Sequence, residues 1–146
     1  ITKPKVPPVF PFIRASGDGS VIAMWKENED APTRYVVMGS EGEAYTLADH
    51  PLGFLAILAL GYEEISDRAF LEFRPGLMSD HPAVPAARGW LTKRFDIRFP
   101  VTAAAGLPYK ADEDPFAQYV MKAPGVDLNA TAAKPARSWG WKHRSR

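Results

Sequence analysis

Apolar residues in this chain alternate at every second position early on and recur at every third and fourth position later, so strands should precede helices. Val9 to Arg14 reads as a strand that ends at Ala15-Ser16-Gly17-Asp18-Gly19, where the Asp-Gly step supplies the positive φ of a tight hairpin. Ser20 to Trp25 returns, with Val21, Ala23 and Trp25 on one face and Ile22 and Met24 on the other. Both faces are apolar, which predicts burial on both sides. After a polar loop over Lys26 to Thr33 come a strand from Tyr35 to Gly39, a turn at Ser40-Glu41-Gly42-Glu43 and a return over Ala44 to Ala48.

The spacing then changes. Asp49 stands as an N-cap with Pro51 just inside a helix lined by Leu52, Leu55, Ile57, Leu58 and Leu60, and Gly61 ends it. This helix is apolar nearly all round and is expected to pack deep against the sheet. Ser66 to Phe73 forms a second short helix, broken before Pro75. Pro82 to Phe95 is a third, with Ala87, Trp90, Leu91 and Phe95 three and four residues apart. Arg98 to Leu107 is a connection with room for a short strand. Asp114 caps a fourth helix, Pro115 to Lys122, whose Phe116, Tyr119 and Val120 face inward. Strands first and helices later predict an α+β fold, a twisted antiparallel sheet with helices mostly on one side.

The ends differ from this middle. Pro4, Pro7, Pro8 and Pro11 make the start an extended lead-in. Residues 125–146 are alanine-rich and basic with little periodicity, and are expected to be a mobile tail. The expected organisation is one domain over 1–124 followed by that tail. At 146 residues, a single domain buries roughly two-thirds of its unfolded surface and needs no staples. The chain has no cysteine, which excludes disulfides and thiolate chemistry and suits a reducing cytoplasm. Its longest apolar run, Leu52 to Leu60, is about half of the ~20 residues that a membrane span needs. It opens at Ile1 without a secretory signal, so residues are expected upstream.

The net charge of +1 hides a segregation. Residues 1–26 hold four basic residues against Asp18. Residues 27–80 hold eleven acids against Arg34, Arg68 and Arg74, a balance of −8. Residues 81–146 hold eleven basic residues against five acids. Such asymmetry bears on partners.

Catalytic patterns are missing. His50, His81 and His143 are not spaced three or four apart, so a zinc site would need distant carboxylates to converge, and these histidines read as solvated or capping. No serine sits in a Gly-x-Ser-x-Gly elbow. Gly17-Asp18-Gly19 and Gly39-Ser40-Glu41-Gly42 lack the Lys-Ser/Thr of a P-loop and read as hairpin turns beside acids that would repel phosphate. Adjacent carboxylates such as Glu63 and Glu64 read as a solvated face, because acid–base pairs need placement across a cleft. The expectation is no catalytic, cofactor-binding or metal-ligating residue, and no cofactor. The tail from Lys134 to Arg146, with Trp139 and Trp141, has the residue types that grip nucleic acid, but the pI of about 8.2 falls short of the usual footprint.

Several segments, taken in order, resemble one family. Phe10-Pro11-Phe12 leads into Ser16-Gly17-Asp18-Gly19-Ser20 and a strand ending at Trp25. Val36 to Glu43, Leu47-Ala48 and the Phe54 to Ala59 helix follow, then Gly89 to Ile97 with Pro100, and Asp114 to Val120. This order, over residues 8 to 122, resembles the SUKH superfamily, which includes bacterial immunity proteins and the yeast Smi/Knr cell-wall regulators. The resemblance implies a mixed-sheet α+β domain that neutralises a toxin by direct binding. It implies structural roles for Trp25, Gly39, Glu41, Gly42 and Trp90, and carries over no binding residue. The helix that usually precedes the first hairpin is absent, which implies a truncated start, and the basic tail lies outside the pattern.

The leading expectation is therefore an immunity-type protein with a basic toxin domain as partner, no membrane association and no nucleic acid. An acidic face would steer such a toxin in. The candidate partner-binding residues are Glu27, Glu29 and Asp30 in the first long loop, and Glu63, Glu64 and Asp67 after the first long helix. The alternative is a regulatory or scaffold interaction domain of a larger protein.

Overall fold

A computed structural model of the chain describes residues 9–76 and 81–122. The alternation in the first third folds into strands β1 (Val9–Arg14), β2 (Val21–Trp25), β3 (Arg34–Met38) and β4 (Ala44–Ala48). They pair in the order β1-β2-β3-β4, each antiparallel to the next, so the sheet is a simple meander. The mixed sheet implied by the family resemblance is not found among the described residues. Each connection is short enough to return the chain beside the strand it left, which antiparallel pairing permits.

Period two sorts the side chains. Val21, Ala23, Trp25, Val36 and Met38 fill one face, while Ile22, Val37, Tyr45 and Leu47 fill the other. The inner strands are buried on both sides, as their apolar composition predicts. Helix α1 (Pro51–Leu58) covers the second face through Phe54 and Ile57, and Leu60, Ile65, Leu71 and Ala103 from the following segments join it. Helix α2 (Ala83–Phe95) is tied to the segment just after α1 by Arg88, whose guanidinium donates to the Ala59 and Leu60 carbonyls at 2.9 and 3.1 Å. Helix α3 (Pro115–Lys122) crosses to the first face and sets Phe116 and Tyr119 against Trp25, with ring centroids 5.1 and 5.3 Å apart. The fold is α+β, with α3 the one helix on the far side of the sheet among the described residues.

Several expectations are corrected. The N-cap of α1 is His50, not Asp49: its Nδ1 accepts from Gly53 N–H at 3.0 Å. A residue before proline is held extended, so Pro51 at the first helical position makes residue 50 the last non-helical one. Leu55 and Leu58 are 41% and 38% exposed, so α1 is not buried all round. Of Ala87, Trp90, Leu91 and Phe95 in α2, only Leu91 is buried, because the helix has only one side against the body. The Ser66–Phe73 helix is a 3-10 turn over Arg68–Glu72, capped by Asp67. The Arg98–Leu107 connection holds a 3-10 turn at Ala104–Gly106 and no strand. Pro4, Pro7, Pro8 and the 125–146 tail lie outside the described residues.

Candidate functional site

The residues that the resemblance marks as structural fall into three places. Trp25 is fully buried between the sheet and α3, with its indole Nε1 lacking a hydrogen-bond partner among the described residues. Gly39, Glu41 and Gly42 build the β3–β4 turn. Gly39 N–H donates to the Glu43 carbonyl at 2.7 Å, and Gly42 takes φ of 97°, a conformation that other residues adopt at a cost. Glu41 N–H donates to the Glu43 carboxylate at 3.2 Å, which folds that side chain over Gly39, where a Cβ would lie 2.8 Å from the Glu43 Cβ. Trp90 is not in the core; it is 59% exposed on α2.

The β3–β4 turn is stapled to the β1–β2 turn. The Asp18 carboxylate accepts from Ser16 Oγ, from Ser20 N–H at 2.9 Å and from Ser40 Oγ at 2.8 Å, while Ser40 N–H donates to Ser20 Oγ at 3.0 Å. These donors, the Ser16 hydroxyl foremost, hold the Asp18 carboxyl well below its ordinary range. Both glycine-rich segments are thus hairpin turns. Of the described histidines, His50 caps α1, and His81 Nδ1 accepts from Ala83 N–H at 3.2 Å beside the Pro82 N-cap of α2.

Of the six candidate acids, three face solvent with unpartnered carboxylates among the described residues: Glu29, Asp30 and Glu63. The loop that carries the first two is held by Lys26 Nζ donating to the Glu29 carbonyl at 2.9 Å, and by Asp30 N–H donating to Asn28 Oδ1 at 3.0 Å. The other three acids have internal work. Glu27 pairs with Arg34 at 3.2 Å. Glu64 accepts from Ser66 N–H at 3.3 Å and Asp67 from Ala69 N–H at 2.9 Å.

One acid from each group borders a cavity beside α3. Glu27 borders a cavity of about 250 Å³ with Gln118, Tyr119 and Lys122. Asp67 borders another of about 200 Å³ with Glu43, Arg68, Asp114 and Ala117. Tyr109, which the sequence reading did not single out, joins the two regions: its hydroxyl accepts from Arg34 Nε at 3.3 Å, and its carbonyl from Arg68 Nη2 at 2.9 Å. Arg34 also lies over the Trp25 and Tyr109 rings at 5.6 and 5.8 Å. Two of the three arginines in residues 27–80 are therefore turned toward the body of the fold. No spacing pattern announces a lone tyrosine that serves two arginines this way.

No helix among the described residues is long and apolar enough to cross a membrane. Compared with protein-family models, with curated proteins and with solved structures, the chain finds no match in any of the three.

Proposed function

We propose that this chain is an immunity-type protein of SUKH-like character that neutralises a basic toxin domain in the cytoplasm by direct contact, without catalysis or cofactor. What supports the reading is the disposition of charge: the carboxylates of Glu29, Asp30 and Glu63 face solvent, while Arg34 and Arg68 are committed to Tyr109. Exposed carboxylates raise the on-rate of a basic partner and disfavour acidic competitors. The loop that holds Glu29 and Asp30 is pinned by its own hydrogen bonds, so little ordering cost opposes binding.

The experiment is a titration against the protein encoded by the adjacent reading frame, followed by stopped-flow and calorimetry at several salt concentrations. The expected result is a one-to-one complex whose on-rate falls about tenfold or more in the Glu29→Lys/Asp30→Lys/Glu63→Lys variant, with a flatter salt dependence than wild type. No complex, or a complex with the same on-rate and salt slope in the variant, overturns the reading.

A further inference from the structure

The exposed face of α2 has the build of a second docking surface. Ala83, Ala87, Trp90 and Arg94 are all exposed, and at spacings of four, three and four they fall in one line along the helix. Ala86 and Lys93 flank that line on one side. Trp90 is 59% and Phe95 40% exposed, and their rings meet edge to face at 5.7 Å. The Arg94 guanidinium lies over the Phe95 ring at 5.4 Å, so the aromatic ledge carries a cation on top. Single exposed apolar residues are ordinary, whereas adjoining exposed aromatic rings such as these form a contiguous patch of the kind that marks interaction sites.

Charge says what would cover it. Lys93, Arg94 and Arg98 are exposed in and just after the helix, where Asp96 is the single acid between Ala83 and Arg98, while Arg88 is already committed to the Ala59 and Leu60 carbonyls. The matching surface is negative. The chain's own C-terminal residues 123–146 do not supply it, because they hold five basic residues against Asp127 alone. The small side chains at Ala83 and Ala87 suit close approach of another backbone at one end, and the Trp90 ledge suits an apolar anchor at the other. A nucleic acid would follow phosphates along cations, whereas half of this line is uncharged alanine.

We propose that the α2 face binds an acidic amphipathic helix of a partner protein, with Trp90 as the apolar anchor and Lys93 and Arg94 pairing with carboxylates. The proposal does not depend on the acidic loops and stands whether or not they bind a toxin.

The test pans a phage-displayed library of random peptides of about sixteen residues, long enough for several helical turns, on the whole chain. Enriched peptides are resynthesised and titrated by fluorescence polarisation. The expected peptides are net negative with apolar residues three and four apart, and Trp90→Ala and Arg94→Glu each weaken them about tenfold or more. Both variants keep the wild-type circular dichroism, and Glu29→Lys/Asp30→Lys leaves affinity unchanged. The proposal fails if no peptide is enriched, if enriched peptides are uncharged or basic, or if they bind Trp90→Ala as well as wild type. It also fails if sedimentation shows a wild-type dimer that Trp90→Ala dissociates, or if a single-stranded oligothymidylate binds more tightly than the peptides in an Arg94-dependent way.

Discussion

The Asp114 carboxylate receives both the backbone N–H and the hydroxyl of Thr46, at 2.6 and 2.8 Å, across sixty-eight positions of chain. Its Oδ1 also accepts from Phe116 N–H at 2.9 Å and Ala117 N–H at 3.3 Å, so one buried side chain caps α3 and closes the outer edge of β4. A sheet edge with free N–H groups invites pairing with other chains, and covering it with a helix removes that hazard.

Asp114→Ala should destabilise the fold by about 2–4 kcal/mol, because it removes an N-cap and leaves buried donors unsatisfied. Asp114→Asn keeps one acceptor oxygen and should cost less, about 1–2 kcal/mol. Urea denaturation of the two variants beside wild type measures both; equal stabilities for all three would show that the capping bonds contribute nothing.

The turn glycines should separate. Gly42→Ala forces a side chain into φ of 97° and should cost about 1–2 kcal/mol. Gly17 has no atom within 4 Å of an added Cβ and no positive φ, so Gly17→Ala should be neutral or stabilise by a few tenths of a kcal/mol, roughly, through the unfolded chain. Thermal melts of both variants test the contrast.

Asp18 should confer acid sensitivity. Its hydrogen bonds hold the folded pKa below the ordinary 3.8, so its contribution is present above that value and disappears as pH falls through the folded pKa. Asp18→Asn should therefore be less stable than wild type at neutral pH, and the gap should narrow as pH falls below about 4. Urea midpoints from neutral to acid pH follow the gap; one that stays constant would mean that ionisation of Asp18 is not linked to folding.

The two described tryptophans should behave oppositely. Trp25 is fully buried against Phe116 and Tyr119, and Trp25→Ala should cost about 3–5 kcal/mol. Trp90→Ala should change stability by no more than about 0.5 kcal/mol, as surface substitutions do. Chemical denaturation decides it, and a large loss at Trp90 would place that ring in the core instead of on a binding face.

Local rules carried the reading as far as neighbours in sequence reach. Alternation placed β1 to β4 and separated Trp25 from Ile22, the Asp-Gly and Gly39 to Glu43 turns closed the hairpins, and Asp114 with Pro115 marked the start of α3. Those signals depend on residues within a few positions of one another. Tertiary structure decided what periodicity cannot encode: which side of a helix finds a partner. Leu55, Leu58, Trp90 and Phe95 have helical spacing suited to a core yet stand at the surface, because α1 and α2 are covered on one side only. The same holds for the candidate sites. The run of acids is plain in the sequence, but only packing shows that Tyr109 draws Arg34 and Arg68 inward, that Glu27, Glu64 and Asp67 are engaged while Glu29, Asp30 and Glu63 are not, and that Asp114 reaches Thr46. Long-range pairing depends on where the sheet and helices come to rest, and no local spacing contains that information.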